Sequence, residues 1–117
     1  MDLAPARLGE LAEGGAPGAS FHQTCSLFIA EEAEDRVRDG EPLADLCRAG
    51  LVAVVEHLLD QGPLGEFVVL AGGLPESVPL LARLLADATG ARVEIPPHPG
   101  SLGALGAALI ARDIPAT

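Results

Sequence analysis

The stretch FVVLAGGLPESVPLL, residues 67–81, constrains the fold of this chain more than any other. An apolar run ends in two adjacent glycines, Pro75, Glu76 and Ser77 follow, and a second apolar run begins. Residues 67–71 are unbroken apolar sequence, the pattern of a strand buried on both faces. Residues 78–88 read as an apolar-rich helix stopped by Gly90. A short second strand over 92–95 follows, then the rigid turn PPHPG. Residues 101–112 form a last helix with an almost wholly small or apolar surface. Strand, crossover helix and strand predict a parallel pair with a right-handed connection.

Upstream of residue 67 the pattern is helical. Leu3, Leu8 and Leu11 stand at helical spacing around a helix over 5–12, with Pro5 suited to its first turn. GGAPG at 14–18 is a loop or linker, and SFHQTC at 20–25 has no helical period and reads as extended. Leu27, Phe28, Ala30, Ala33 and Val37 indicate a helix to Asp39 closed by Gly40. Its charged residues Glu31, Glu32, Glu34, Asp35, Arg36 and Arg38 read as a solvated face. A further helix runs from Pro42 to Asp60, and Gly50 inside it is read as a mark of close helix packing, since glycine costs about 1 kcal/mol against alanine there. The class is α/β, helix-rich, with a small, largely parallel sheet. Such a sheet ordinarily has more strands, so the chain reads as a lobe apart from its partner.

Composition narrows the function. The chain has 117 residues, 49% of them hydrophobic, with three Phe and no Trp or Tyr. Aromatic platforms for stacking bases are therefore scarce. A net charge of −10 without a basic cluster argues against nucleic acid and anionic membranes as partners. No run reaches the roughly 18 apolar residues of a membrane span, and the mixed, acidic N-terminus does not read as a signal peptide. Cys25 and Cys47 form no secreted disulfide framework, so a cytoplasmic location is expected. His22 and His98 in loops and His57 on a helix have no Cys or His at ligand spacing, which argues against zinc.

The double glycine admits two readings. Gly72 and Gly73 let a backbone N–H come close to a ligand, at the start of a helix whose free N–H groups point the same way. Alternatively they form a tight turn and nothing else. The stretch is neither a P-loop, since no Lys-Ser/Thr pair follows, nor the dinucleotide fingerprint, whose third glycine is missing.

Motif order adds a resemblance. VLAGGLPES, VEIPPHP at 93–99 and GALGAALIA at 103–111, preceded by TCSLFIAEEAEDRVRDG at 24–40, resemble the C-terminal part of the ATPase activators of 2-hydroxyacyl-CoA dehydratases and the related ATPase subunits of benzoyl-CoA reductase. The resemblance covers about residues 20–112. It implies a ribonuclease-H-like second lobe of the actin-like and sugar-kinase-like ATPase superfamily over 20–117, with 1–19 an N-terminal helix and Gly/Pro linker. It implies that Gly72 and Gly73 face an adenosine, with Leu74 and Ser77 nearby, and that ATP or ADP binds with Mg²⁺. Family activators are homodimers that share one [4Fe-4S] cluster, two cysteines from each chain, and pass an electron to a dehydratase or reductase component. Cys25 matches the second of these cysteines; Cys47 matches none and reads as a buried structural thiol. The first cluster cysteine and the whole first lobe, with its Mg²⁺ and phosphate groups, have no counterpart here. Nucleotide binding is thus expected to need the missing N-terminal lobe, and ATP hydrolysis by this chain alone is not expected. Apolar surface left open by that lobe predicts a homo-oligomer. The alternative is a non-catalytic interaction module that presents Gly103, Ala104, Gly106 and Ala107 to a partner. A small-substrate kinase of the same superfamily is a weaker third reading, because the Thr-Cys segment is not expected in one.

Overall fold

The computed structural model describes residues 2–22 and 25–116. Six helices and two strands follow in the order α1 (Pro5–Glu13), α2 (Ser26–Arg38), α3 (Leu43–Asp60), β1 (Phe67–Val69), α4 (Gly73–Ser77), α5 (Leu80–Thr89), β2 (Arg92–Glu94) and α6 (Leu102–Asp113), with a 3₁₀ turn at Pro99–Ser101 before α6. The expected extended segment at 20–25 lies partly outside the described residues.

An aliphatic core decides the arrangement. Ala12 of α1, Cys47, Leu51 and Val55 of α3, Val78, and Leu80, Leu81, Leu84 and Leu85 of α5 form one buried cluster, with Val68, Leu70 and Val93 of the sheet packed against it. Each fully buried leucine contributes about 1.5–3 kcal/mol by leaving water. No polar or charged side chain is buried among the described residues. The strands pair in parallel, Phe67 with Arg92, Val68 with Val93 and Val69 with Glu94, as their βαβ connection requires.

Three local expectations change. The first concerns β1, which is not buried on both faces: Val68 turns inward, whereas Phe67 is 55% and Val69 49% exposed. Two strands with α3 and α5 on one side leave the other side of the sheet open. Second, the helix expected over 78–88 begins at Leu80 as α5, and a separate short helix, α4, precedes it. Val78 leaves helical geometry at φ −132°, ψ 76°, and Pro79 restarts the chain as the cap of α5. Proline cannot donate into the preceding turn, so the break falls there. Gly90 ends α5 in the left-handed conformation at φ 72°, as read.

The third concerns the place of closest approach. At Gly50 an added methyl would meet only Phe21, at 3.9 Å. The tight contacts lie on α1 and the linker after it. Gly9 faces Val78, whose Cγ1 would stand 3.1 Å from a methyl, and a methyl at Gly15 would overlap the carbonyl of Ala44 at the start of α3. α1 thus lies against α3 and α4 because small residues line its inner side. Ala16 N–H then donates to Asp45 Oδ1 at 2.8 Å and fixes the linker.

α2 is held at its end by charge. Gly40 closes it at φ 93°, and Glu41 N–H returns to the Arg36 carbonyl at 3.0 Å. Arg36 donates a fork of two 2.8 Å bonds to Glu41, a 2.6 Å bond to the Ser20 carbonyl, and lies over the Phe21 ring at 5.4 Å. Glu32 takes the backbone N–H of His22 at 3.1 Å and its ring nitrogen at 2.9 Å. Glu32 and Arg36 therefore turn inward, while Leu27 and Phe28 of the same helix stay exposed.

The molecule measures 62 × 31 × 23 Å with a radius of gyration of 16.9 Å, against about 13 Å for a compact domain of this length. Its surface of 7720 Å² exceeds the roughly 5,900 Å² usual for its mass. The excess belongs to α2 and α6, which bury little; α6 has no buried residue. The expected open apolar surface is thus present, in Leu105, Leu109, Ile110 and Ile114 at the C-terminal end and in Phe67 and Val69 on the sheet.

Two predictions follow from the contacts. Gly15→Ala lowers the unfolding free energy by about 1–3 kcal/mol in urea denaturation, whereas Gly50→Ala is neutral or stabilising by up to about 1 kcal/mol. Glu41, its pKa lowered by the hydrogen bonds from Arg36 against a smaller opposing effect of desolvation, contributes stability that is present above the ordinary carboxylate value of 4.5 and lost as pH falls below it. Glu41→Gln removes that share, so its stability falls less steeply than that of wild type in thermal melts on the acid side of pH 4.5.

Candidate nucleotide half-site

The two strands run side by side in the same direction, so the loops at their carboxyl ends are neighbours. In open parallel sheets ligands bind at this end. Leu70 N–H donates to Glu94 O at 2.8 Å and carries the pairing one step past Val69. The chain then swings out through Gly72, at φ 114° and ψ 175°, a conformation that side chains rarely adopt. Gly72 N–H donates to the Pro99 carbonyl at 2.9 Å and ties the first loop to the second. α4 begins at the next residue.

Each expected residue has a distinct place. At Gly73 an added methyl would meet nothing within 4 Å, so the turn presents open backbone surface. Leu74 is 36% exposed beside it, and its carbonyl accepts Val78 N–H at 2.8 Å to close α4. Ser77, at the far end of α4, lines a different groove of about 200 Å³ shared with Ala6, Gly9 and Glu13 of α1. The structure thus brings Gly72, Gly73 and Leu74 together and sets Ser77 on the side of α1.

Three residues join the site that the sequence reading did not single out. A methyl at Gly100 would overlap the Glu76 carboxylate and stand 3.8 Å from the Gly73 Cα, so the second loop passes close under the first. Glu76 projects from α4 over Gly100. His98 holds φ 52° and ψ 53°, the one left-handed non-glycine residue among those described, a strained position of the kind found at ligand sites. The sequence signal was present: in a βαβ unit the second carboxyl-end loop, here PPHPG, adjoins the first.

The charges at this end are one-sided. Residues 71–77 and 95–101 contain Glu76 and no Arg or Lys. The site offers close backbone approach and a carboxylate, which suit the hydroxyl-bearing and uncharged parts of a ligand. Counter-charge for phosphates has to come from a metal ion or from outside these loops.

The cysteines part company. Cys25 is exposed and caps the start of α2, its carbonyl accepting Ile29 N–H at 2.9 Å. Cys47 lies in the core, where burial pushes its thiol pKa up. No group of three or more His, Cys, Asp or Glu side chains suited to a metal ion occurs among the described residues. One exposed thiol per chain gives two in a dimer, short of the four thiolates that a [4Fe-4S] cluster takes. The residues of this chain therefore do not by themselves fit the cluster.

The chain is thus a helix-rich α/β lobe on a small parallel sheet, with a glycine turn at the carboxyl ends of its strands. Among solved structures, the activator of the 2-hydroxyisocaproyl-CoA dehydratase from Clostridium difficile with bound ADPNP matches 95% of this chain with a TM-score of 0.82 at 24% sequence identity. The chain spans 42% of the length of that protein. The match establishes the fold, in agreement with the resemblance carried by the motifs. No protein-family model and no curated protein matches the chain. No helix among the described residues is long and apolar enough to cross a membrane.

Thiol labelling checks the placement of the cysteines. Iodoacetamide modifies Cys25 in the native protein, and Cys47 reacts only after denaturation. Equal rates for both under native conditions would contradict this placement.

Proposed function

We propose that the chain is the C-terminal nucleotide-binding lobe of an ATP-dependent, [4Fe-4S]-containing activator, an electron donor to a 2-hydroxyacyl-CoA dehydratase or a related reductase component. The observation that carries this reading is the convergence of Gly72, Gly73 and Gly100 at the carboxyl ends of β1 and β2, in a chain with the fold of an activator solved with ADPNP. In this reading the adenosine of ATP or ADP lies on Gly72, Gly73 and Leu74. Ser77, at the far end of α4 and on the side of α1, lies outside this site. Mg²⁺ and the missing N-terminal lobe supply the counter-charge that the strand-end loops lack. The chain is part of an ATPase and does not hydrolyse ATP by itself. Cys25 contributes one thiolate to a cluster completed by cysteines outside residues 1–117. The protein acts in the cytoplasm as a homo-oligomer.

Binding tests the nucleotide site. With an activator N-terminal lobe supplied, Mg-ADP binds in calorimetry, and Gly73→Val weakens it at least ~10-fold, equivalent to about 1.4 kcal/mol, without lowering thermal stability. Equal affinity for variant and wild type would remove Gly73 from the site. With the lobe that carries the remaining cysteines supplied, iron and acid-labile sulfide after anaerobic reconstitution test the cluster: the signal is lost in Cys25→Ser and kept in Cys47→Ser.

The second reading is a non-catalytic interaction module. It is favoured by α6, whose residues Gly103, Ala104, Gly106 and Ala107 are largely exposed and whose first ten positions bear no charge. Neither nucleotide nor iron binding by the reunited lobes would select it.

A further inference from the structure

We propose that Glu76 reads the sugar of the nucleotide: its carboxylate accepts hydrogen bonds from the 2′- and 3′-hydroxyls of the ribose and makes the site selective for ribonucleotides. The inference rests on the nucleotide site of the reading above and adds a specificity-determining residue to it.

Glu76 is placed by the backbone around it. Gly72 N–H donates to the Pro99 carbonyl at 2.9 Å ahead of α4, and Val78 N–H donates to the Leu74 carbonyl at 2.8 Å at its end. Pro75, the residue before Glu76, is buried. α4 is thus seated on either side of residue 76, and the side chain crosses from it to the second loop. Gly100 leaves the space that the carboxylate fills. A methyl at 100 would overlap that carboxylate and stand 3.8 Å from the Gly73 Cα. The charge therefore lies where the two strand-end loops come together, beside the glycine turn.

This carboxylate is open to a ligand. Glu76 is exposed, and among the described residues it takes no hydrogen bond and forms no ion pair. With no Arg or Lys in residues 71–77 or 95–101, nothing in these loops offsets its charge.

The chemistry of the group selects its partner. A carboxylate ion only accepts hydrogen bonds, and it does so through two oxygens. It repels phosphates and has to face a part of the ligand that donates. An adenine nucleotide offers two such parts. The 6-amino group is flanked by ring nitrogens that are acceptors, so one carboxylate oxygen would meet a lone pair there. The ribose offers two neighbouring hydroxyls, one donor for each oxygen. An acidic side chain plays this part toward the ribose in dinucleotide-binding folds as well.

The test is calorimetry of the chain with an activator N-terminal lobe supplied, using Mg-ADP, Mg-2′-deoxy-ADP, Mg-3′-deoxy-ADP and Mg-IDP. Wild type is expected to bind each deoxy analogue at least ~10-fold more weakly than ADP, the share of one hydrogen bond to a charged group. In Glu76→Ala the preference falls to within ~3-fold, and in Glu76→Gln, which keeps one acceptor without the charge, it lies between the two. The ratio is read within each variant, so a change in stability does not imitate the result. Equal binding of ADP and the deoxy analogues by wild type, or an unchanged ratio in Glu76→Ala, would overturn the inference. Tighter ADP binding in either variant would assign the carboxylate to repulsion of the phosphates, and a preference for ADP over IDP that is lost with Glu76 would assign it to the base. Either outcome would also overturn it, and all of these leave the nucleotide site standing. No binding of any of the four nucleotides by wild type would remove the site itself, and this inference with it.

Discussion

The structure depends on the close seating of α1 and the turn after it against α3 and the junction of α4 and α5 at Val78, which is possible because Gly9, Ala12 and Gly15 are small. Ala12 is fully buried, Gly9 receives Val78, and Gly15 passes against the Ala44 backbone. Val78 is in turn the residue at which α4 breaks from α5. The seat of α1 thus fixes the angle between these two helices, and α4 carries the glycine turn. A site at the strand ends inherits its geometry from a helix more than sixty residues earlier in the sequence. With three phenylalanines and no larger ring in the chain, the core has to reach density through such glycine and alanine contacts and well-packed leucines.

Much of this was legible in the residues. The helices, the parallel pair, the stop at Gly90 and the burial of Cys47 all follow from period, caps and composition. The short α4 was not, because the five residues Gly73–Ser77, with a glycine and a proline among them, are too few to show a helical period. The exposure of β1 was hidden for a different reason. Val and Phe in an unbroken run state what a strand is suited to bury, not whether a covering layer is present. At the site, Gly72, Gly73 and Leu74 stood out, whereas Gly100 and Glu76 meet across the two loops through a contact that no local pattern encodes. Gly50 misled in the opposite sense: an interior glycine permits close approach and does not compel it.

The electrostatics divide the molecule into two parts. Arg36, Glu32, Glu41 and His22 tie the segment before α2 to its far end through pairs in which Glu32 and Arg36 are largely covered and His22 and Glu41 are open to water. The strand-end loops lack positive charge. Glu32 and Arg36 of α2 thus serve to anchor the helix, while the carboxyl end of the sheet is furnished with backbone and left without counter-charge. Anchoring and recognition are built from different chemistry at different ends of the chain.

α6 buries none of its twelve residues. An isolated helix of about that length is marginal in water, because propagation scarcely repays nucleation. Its order in the free protein is therefore set by a local helix–coil equilibrium rather than by the melting of the core. Any surface that docks on it binds the helical fraction, so the apparent affinity is lowered by that fraction. Substitutions that raise intrinsic helicity at positions of α6 outside the Gly103, Ala104, Gly106 and Ala107 face would tighten such an association without touching that face.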